Sequence, residues 1–157
     1  MMNTLMKTLI ILTAFLSSVV GAGTDEENFR QVELDRFIES EKAMVNSPLA
    51  KGKKIIMLAA PVSFRASLKR HPEEKNMSYV YTALAVSRVD PMPVIEHRMF
   101  IESDAGNIIP VYVEKNAVPR INAELKEEQQ ALFRGYHVYN YAKGPAILVV
   151  DFDRVAP

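Results

Sequence analysis

Apolar residues recur along this chain with two different periods, and the change falls near Pro48. Upstream, in GTDEENFRQVELDRFIESEKAMVNSP, Phe29, Leu34, Phe37, Ile38, Met44 and Val45 form an imperfect helical stripe. Thr24 or Asp25 can cap it, and Asp25, Glu26 and Glu27 place negative charge where the helix dipole favours it. Asn46-Ser47-Pro48 ends it, since the residue before a proline avoids the helical region. The pattern predicts one helix from about Asp25 to Val45.

Downstream the period falls to two. KKIIMLAAPVSF (Lys53 to Phe64) predicts a strand apolar on both faces, with Pro61 marking an edge or bend. RASLKRHPEEKN reads as a charged loop. SYVYTALAVSRV (Ser78 to Val89) predicts a second strand, with Val80, Leu84 and Val86 opposite Tyr79, Tyr81, Ala83 and Ala85. Asp-Ala-Gly-Asn then separates two arms, His97 to Ser103 and Ile108 to Glu114, as a hairpin; Pro110 removes one ladder donor. A short helix is predicted over Arg120 to Ala131. LFRGYHVYNYA and PAILVVDFDRV complete the pattern as two strands turning at Lys143-Gly144-Pro145.

This order holds no repeated strand-helix-strand unit, which argues against a parallel α/β sheet. It predicts a mainly β fold with two helices: an antiparallel barrel or strongly curved sheet preceded by an N-terminal helix. No internal repeat or linker divides the chain, so a single folded domain is expected.

The first residues predict a different fate. MMNTLMKT carries one positive charge, LIILTAFLSSVV is an uncharged apolar run, and Val20-Gly21-Ala22 offers a small-residue cleavage site. That is the pattern of a secretory signal peptide over 1–22, too short for a spanning helix. The expected organisation is signal 1–22, helix and lead-in 23–50, and β domain 51–157. Removing Lys7 leaves the 19 acidic residues in excess by one. Near-neutral charge gives no general attraction to nucleic acid or anionic lipid. Cysteine is absent, which excludes disulfides, thiolate chemistry and a lipid-anchoring cysteine. A cysteine-free exported domain suits a Gram-negative periplasm better than an oxidising eukaryotic compartment, with release from the cell as the alternative.

Enzyme signatures fail in turn. The histidines are His71, His97 and His137, with no His-Glu-x-x-His pair, no Gly-x-Ser-x-Gly elbow and no glycine-rich phosphate loop. Asp151 and Asp153 share a strand face, and Asp104 sits at the hairpin tip; carboxylates so placed can hold a hard cation or simply face water beside Arg154. Glu96, His97 and His137 could meet across strands, with no nucleophile beside them. No catalytic residue, metal site or cofactor is assigned.

The stronger signal is aromatic. Tyr79 and Tyr81 share one predicted face, Tyr139 and Tyr141 another, and Tyr112 lies in the hairpin. Rings on a sheet can stack on bases or sugars with arginine nearby, and the loop after the first strand supplies Arg65 and Arg70. The candidate ligand-binding residues are therefore Arg65, Arg70, Tyr81, Tyr112 and Tyr139. Tyrosines at strand spacing are equally ordinary packing residues.

The segments GKKIIMLAAPVSF, MFIESDAGNIIPVYVEK, INAELKEEQQ and LFRGYHVYNYAKGPAILVVDFDRV follow the strand and helix order of the OB-fold, and the chain resembles that family. With the lead-in helix and LAKGKK, it is similar to exported OB-fold proteins of the tRNA-anticodon-like type. The strand predicted over Ser78 to Val89 is one more than the five-strand scheme needs. A cystatin-like α+β arrangement is the alternative. The resemblance implies a non-catalytic module for an oligosaccharide, oligonucleotide, peptide or protein, with nucleic acid least favoured by the charge. A structural subunit of an envelope complex acting through the N-terminal helix, and a small hydrolase using a histidine and carboxylate, are the rival expectations.

Overall fold

The computed structural model describes residues 28–156, so the signal peptide predicted over 1–22 and the caps predicted at Thr24 or Asp25 lie outside the described residues. The elements are β1 (Arg30–Gln31), α1 (Leu34–Val45), β2 (Ile55–Glu74), α2 (Tyr79–Val86), β3 (Ile95–Glu102), β4 (Ile108–Glu114), α3 (Val118–Glu124), β5 (Gln130–Tyr141) and β6 (Gly144–Arg154). A 3-10 turn over Lys115–Ala117 leads into α3. The fold is mainly β, with the helix α1 ahead of the main sheet, as the apolar periods predict.

Pairing runs β1-β2-β3-β4-β6-β5 and returns from β5 to β2, so five strands close into a ring. Neighbours are antiparallel except β4 with β6 and the short β1 with β2. With α3 between the third and fourth ring strands, this is the OB-fold-like order expected. Closure needs strongly bent strands, and β2 supplies the bend. Its register shifts twice opposite β3, between Leu68 and Arg70 and between Arg70 and Glu73. It also shifts between Ile56 and Ala60 opposite β5.

Four sequence expectations are corrected. The charged loop after Phe64 is the second half of β2. Ala66 and Leu68 alternate inward there and are fully buried, while the flanking Arg65 and Arg70 are exposed and Lys69 is half-buried, so high charge hides a strand period. The strand predicted at Ser78 to Val89 is instead α2. Val80, Ala83 and Leu84 are its buried residues, a helical i, i+3, i+4 set that alternation disguises in eight residues. This brings the helix count to three among the described residues and removes the surplus strand. The N-terminal helix begins at Leu34, where Glu33 accepts hydrogen bonds from the Asp35 and Arg36 amides. Phe29 lies before it, with its ring 5.9 Å from that of Tyr136. The predicted helix Arg120 to Ala131 is also displaced: α3 ends at Glu124, and Leu125 turns extended with its side chain buried.

Two apolar clusters divide the molecule. The larger draws on all five ring strands, including Phe64, Met99, Val111, Phe133 and Ile147, and is closed by α1 and α3. The smaller lies outside the ring, where α2 covers Tyr139, Ala146 and Leu148. The helix α1 turns Leu34, Phe37, Ile38 and Val45 inward. Asp35 fastens it to the β3–β4 hairpin, accepting hydrogen bonds from the Ser103 hydroxyl, the Ala105 amide and the Asn107 side chain. No described helix is long and apolar enough to cross a membrane.

Candidate functional site

The β3–β4 hairpin, the end of β5 and the chain entering α2 surround a pocket of about 280 Å³. From β4 come Pro110, Val111 and Tyr112; from β5, Tyr139 and Tyr141; from the turn and β6, Lys143 and Ala146. Arg98 on β3 faces it beside Tyr112, its cross-strand partner, and Lys75 and Met77 close the remaining side. No carboxylate lines it.

Tyrosine rings form its wall. Tyr139 is only 4% exposed, and its hydroxyl is hydrogen-bonded to that of Tyr112. Their rings are 6.2 Å apart at 52°, and Tyr141 stands 5.8 Å from Tyr139 at 59°. Tyr79 backs Tyr139 edge-on at 4.8 Å. These angles make a faceted concave wall rather than parallel plates. Burial raises the pKa of all three lining phenols above the ordinary range, with Tyr141 pushed up to about 12. They therefore remain neutral donors and acceptors near neutral pH. The Tyr141 hydroxyl has no hydrogen-bond partner among the described residues.

Cations surround the rings. The Lys54 ammonium lies 4.2 Å from the centre of Tyr79 and 5.7 Å from that of Tyr139, within cation–π range. Arg98 donates from Nε to Glu73 at 2.9 Å, leaving its remaining nitrogens outside that bond. Lys75 and Lys143 have no ion-pair partner among the described residues.

Of the five residues picked from sequence, the fold brings together Tyr112 and Tyr139. Tyr81 is on α2, where its hydroxyl donates to the Ile95 carbonyl and accepts from the Ile95 amide, fastening α2 to the start of β3. Arg70 lies over the Phe100 ring at 4.4 Å, next to Glu73. Arg65 lines a separate cleft of about 320 Å³ with Glu33 and Asp104 at the start of α1. Both arginines stand on β2 rather than in a loop. Sequence reading missed Lys54, Lys75, Arg98, Tyr141 as a lining residue, and Lys143. Lys143 was legible from its place two residues after Tyr141, and Arg98 from hairpin register opposite Tyr112.

The other candidate chemistry is occupied by structure. Asp151 and Asp153 both accept from Arg134, and Asp151 also accepts from Arg120 at 2.6 Å, so guanidinium groups occupy the cation position between them. Among the described residues no cluster of three metal-ligating side chains is present. His137 is buried under α1 against Phe37, hydrogen-bonded to Asn140, and burial lowers its proton affinity. His97 lies on β3 opposite Val113. Compared with known protein families and with characterised proteins, the chain matches no family model and no curated protein.

Proposed function

We propose that this chain is an exported, non-catalytic binding module of the cell envelope whose ligand sits in the tyrosine-walled pocket. The observation that carries the reading is the pocket's composition: concave aromatic surface, with a Tyr141 hydroxyl and two lysines, Lys75 and Lys143, that have no partner among the described residues. Such a constellation orients and holds a ligand but provides no nucleophile beside a general base. In OB-fold-like rings, the face of the second and third strands with its adjoining loops is a common seat for oligosaccharides and oligonucleotides. Here that face is β3 and β4, joined by the β2–α2 connection and the turn at Lys143. Export is supported by the signal-like pattern of residues 1–22 and the absence of cysteine.

A role as an assembly subunit acting through α1 has less support, because that helix already uses its apolar face on the ring. The test is an array of envelope glycans and peptides probed with the protein and with Tyr141→Ala. A ligand of this site should lose at least tenfold affinity on Tyr141→Ala while the variant keeps its circular dichroism and cooperative melting. Full affinity in a folded Tyr141→Ala variant would remove the pocket from consideration.

A further inference from the structure

Resting on that reading, we infer that the pocket takes one ring of an acidic saccharide, a pyranose bearing a carboxylate, with the acid group between Lys75 and Lys143. Size limits the occupant first. About 280 Å³ lies just below the range of ~300–1,000 Å³ typical of small-molecule sites, so the pocket admits one sugar ring rather than a polymer segment.

Shape then separates sugars from bases. A nucleobase stacks on an open, flat aromatic face. Here Tyr139 is buried to its edge, and Tyr112 and Tyr141 lean from it at 52° and 59°. A puckered ring with C–H edges and hydroxyls on several sides matches an angular wall, and the Tyr141 hydroxyl can donate to it or accept from it.

Charge selects the acid. Lys75 and Lys143 have no counter-ion among the described residues, and the pocket lining holds no carboxylate to repel an anion. Along β2 and β3 most basic groups are paired: Lys69 with Glu102, Arg70 and the pocket's own Arg98 with Glu73; Arg65 has no ion pair among the described residues and lies at the separate cleft by α1. Lys115 at the end of the hairpin is paired with Glu96. Among the described residues Arg65 alone of the arginines and lysines on these strands lacks an ion pair, so no continuous unpaired stripe leads from the pocket to carry a polyanionic backbone, which single-stranded nucleic acid requires. The positive charge is local and suits one acid group.

The experiment is a titration of the isotope-labelled protein with digalacturonate, neutral digalactose and a thymidine dinucleotide, following backbone amide shifts. Digalacturonate should move Lys75, Arg98, Tyr141 and Lys143 and bind at least tenfold more tightly than digalactose. Lys143→Gln should weaken it about tenfold with no change in melting temperature, and raising salt should weaken it further. Equal binding of digalactose at the same residues would overturn the inference while leaving the binding-module reading in place. Tighter binding of the dinucleotide there would overturn it in favour of nucleic acid. If neither saccharide moves the pocket residues, the inference is wrong; ligands found on the array then decide the wider reading separately.

Discussion

Gly135 is where the ring tolerates least, and Gly135→Ala measures how closely β5 and β6 must approach. A Cβ placed there would stand 2.2 Å from the Leu148 carbonyl oxygen, 2.9 Å from its carbon and 3.1 Å from the Val149 Cα. All three atoms are backbone, so no rotamer change relieves the contact. Carbon–oxygen contacts settle at roughly 3.3–3.6 Å, so the strands must separate by about 1 Å. The ladder already shifts register between Arg134 and Gly135, which concentrates the displacement on the hydrogen bonds that close the ring. Overpacking costs about 1–3 kcal/mol, and one or two weakened backbone hydrogen bonds add about 1 kcal/mol each. The expected loss is therefore roughly 2–5 kcal/mol. Gly106→Ala is the control: its φ of +85° carries conformational strain, but the nearest atom to an added Cβ is 3.8 Å away. That variant should lose about 1–2 kcal/mol, the conformational cost alone. Urea denaturation of both variants gives the comparison. A Gly135→Ala variant within 0.5 kcal/mol of the parent (an assay tolerance of about that size) would refute close approach as the reason for this glycine.

Two further predictions separate packing from polar contacts. Tyr139→Phe keeps the ring against Tyr79 and loses only the hydrogen bond to Tyr112, so it should cost about 1 kcal/mol, whereas Tyr139→Ala should cost about 3–5 kcal/mol; equal losses in chemical denaturation would contradict this division. Asp35→Ala should cost about 1–2 kcal/mol at pH 7 by releasing α1 from the hairpin. Burial opposes ionisation of Asp35, but hydrogen bonds from Ser103, Asn107 and Ala105 outweigh it and hold the folded-state pKa below its ordinary value. The contribution is thus complete above the unfolded carboxyl pKa of about 3.9 and fades as pH falls through the lower folded value. The stability gap between parent and variant should narrow in that acid range, and a gap independent of pH would show that the carboxylate is not what holds the helix.

The hairpin and the closing strands were legible because apolar-rich runs of strand length are separated by turn sequences. Asp104-Ala105-Gly106-Asn107 sits between β3 and β4, and Gly106 takes the positive φ that such a turn needs. The errors arise where local pattern is ambiguous and tertiary contact decides. Tyr79 to Val86 is eight residues long, so alternation and helical spacing select overlapping sets; the ring's outer face, which receives Val80, Ala83 and Leu84, settles the choice. The second half of β2 was hidden by composition, since Arg65, Lys69 and Arg70 outweigh the short apolar Ala66 and Leu68. The pocket was half legible for a related reason. Tyr112 and Tyr139 announce themselves by type, but their meeting depends on β4 joining β6 in parallel, a long-range pairing that no local period encodes.

That pairing also explains why the proposed binding site sits in the fold at little structural risk. Alternation along a strand sends neighbouring residues to opposite faces. On β4, Val111 and Val113 enter the central cluster while Tyr112 joins the outer one. On β6, Ile147 and Val149 go inward while Ala146 and Leu148 go outward. The ring's interior can therefore hold the chain together while the outer layer changes its tyrosines and cations. Within that layer the division continues. Tyr139 is buried and structural, Tyr141 is partly open, and the Lys75 and Lys143 charges are free of protein partners among the described residues. Moving outward from Phe133 through Tyr139 to Lys143, side chains pass from maintaining the ring to meeting what lies outside it. On the proposed reading, ligand preference is set chiefly by the outermost charges, where substitution costs the fold least.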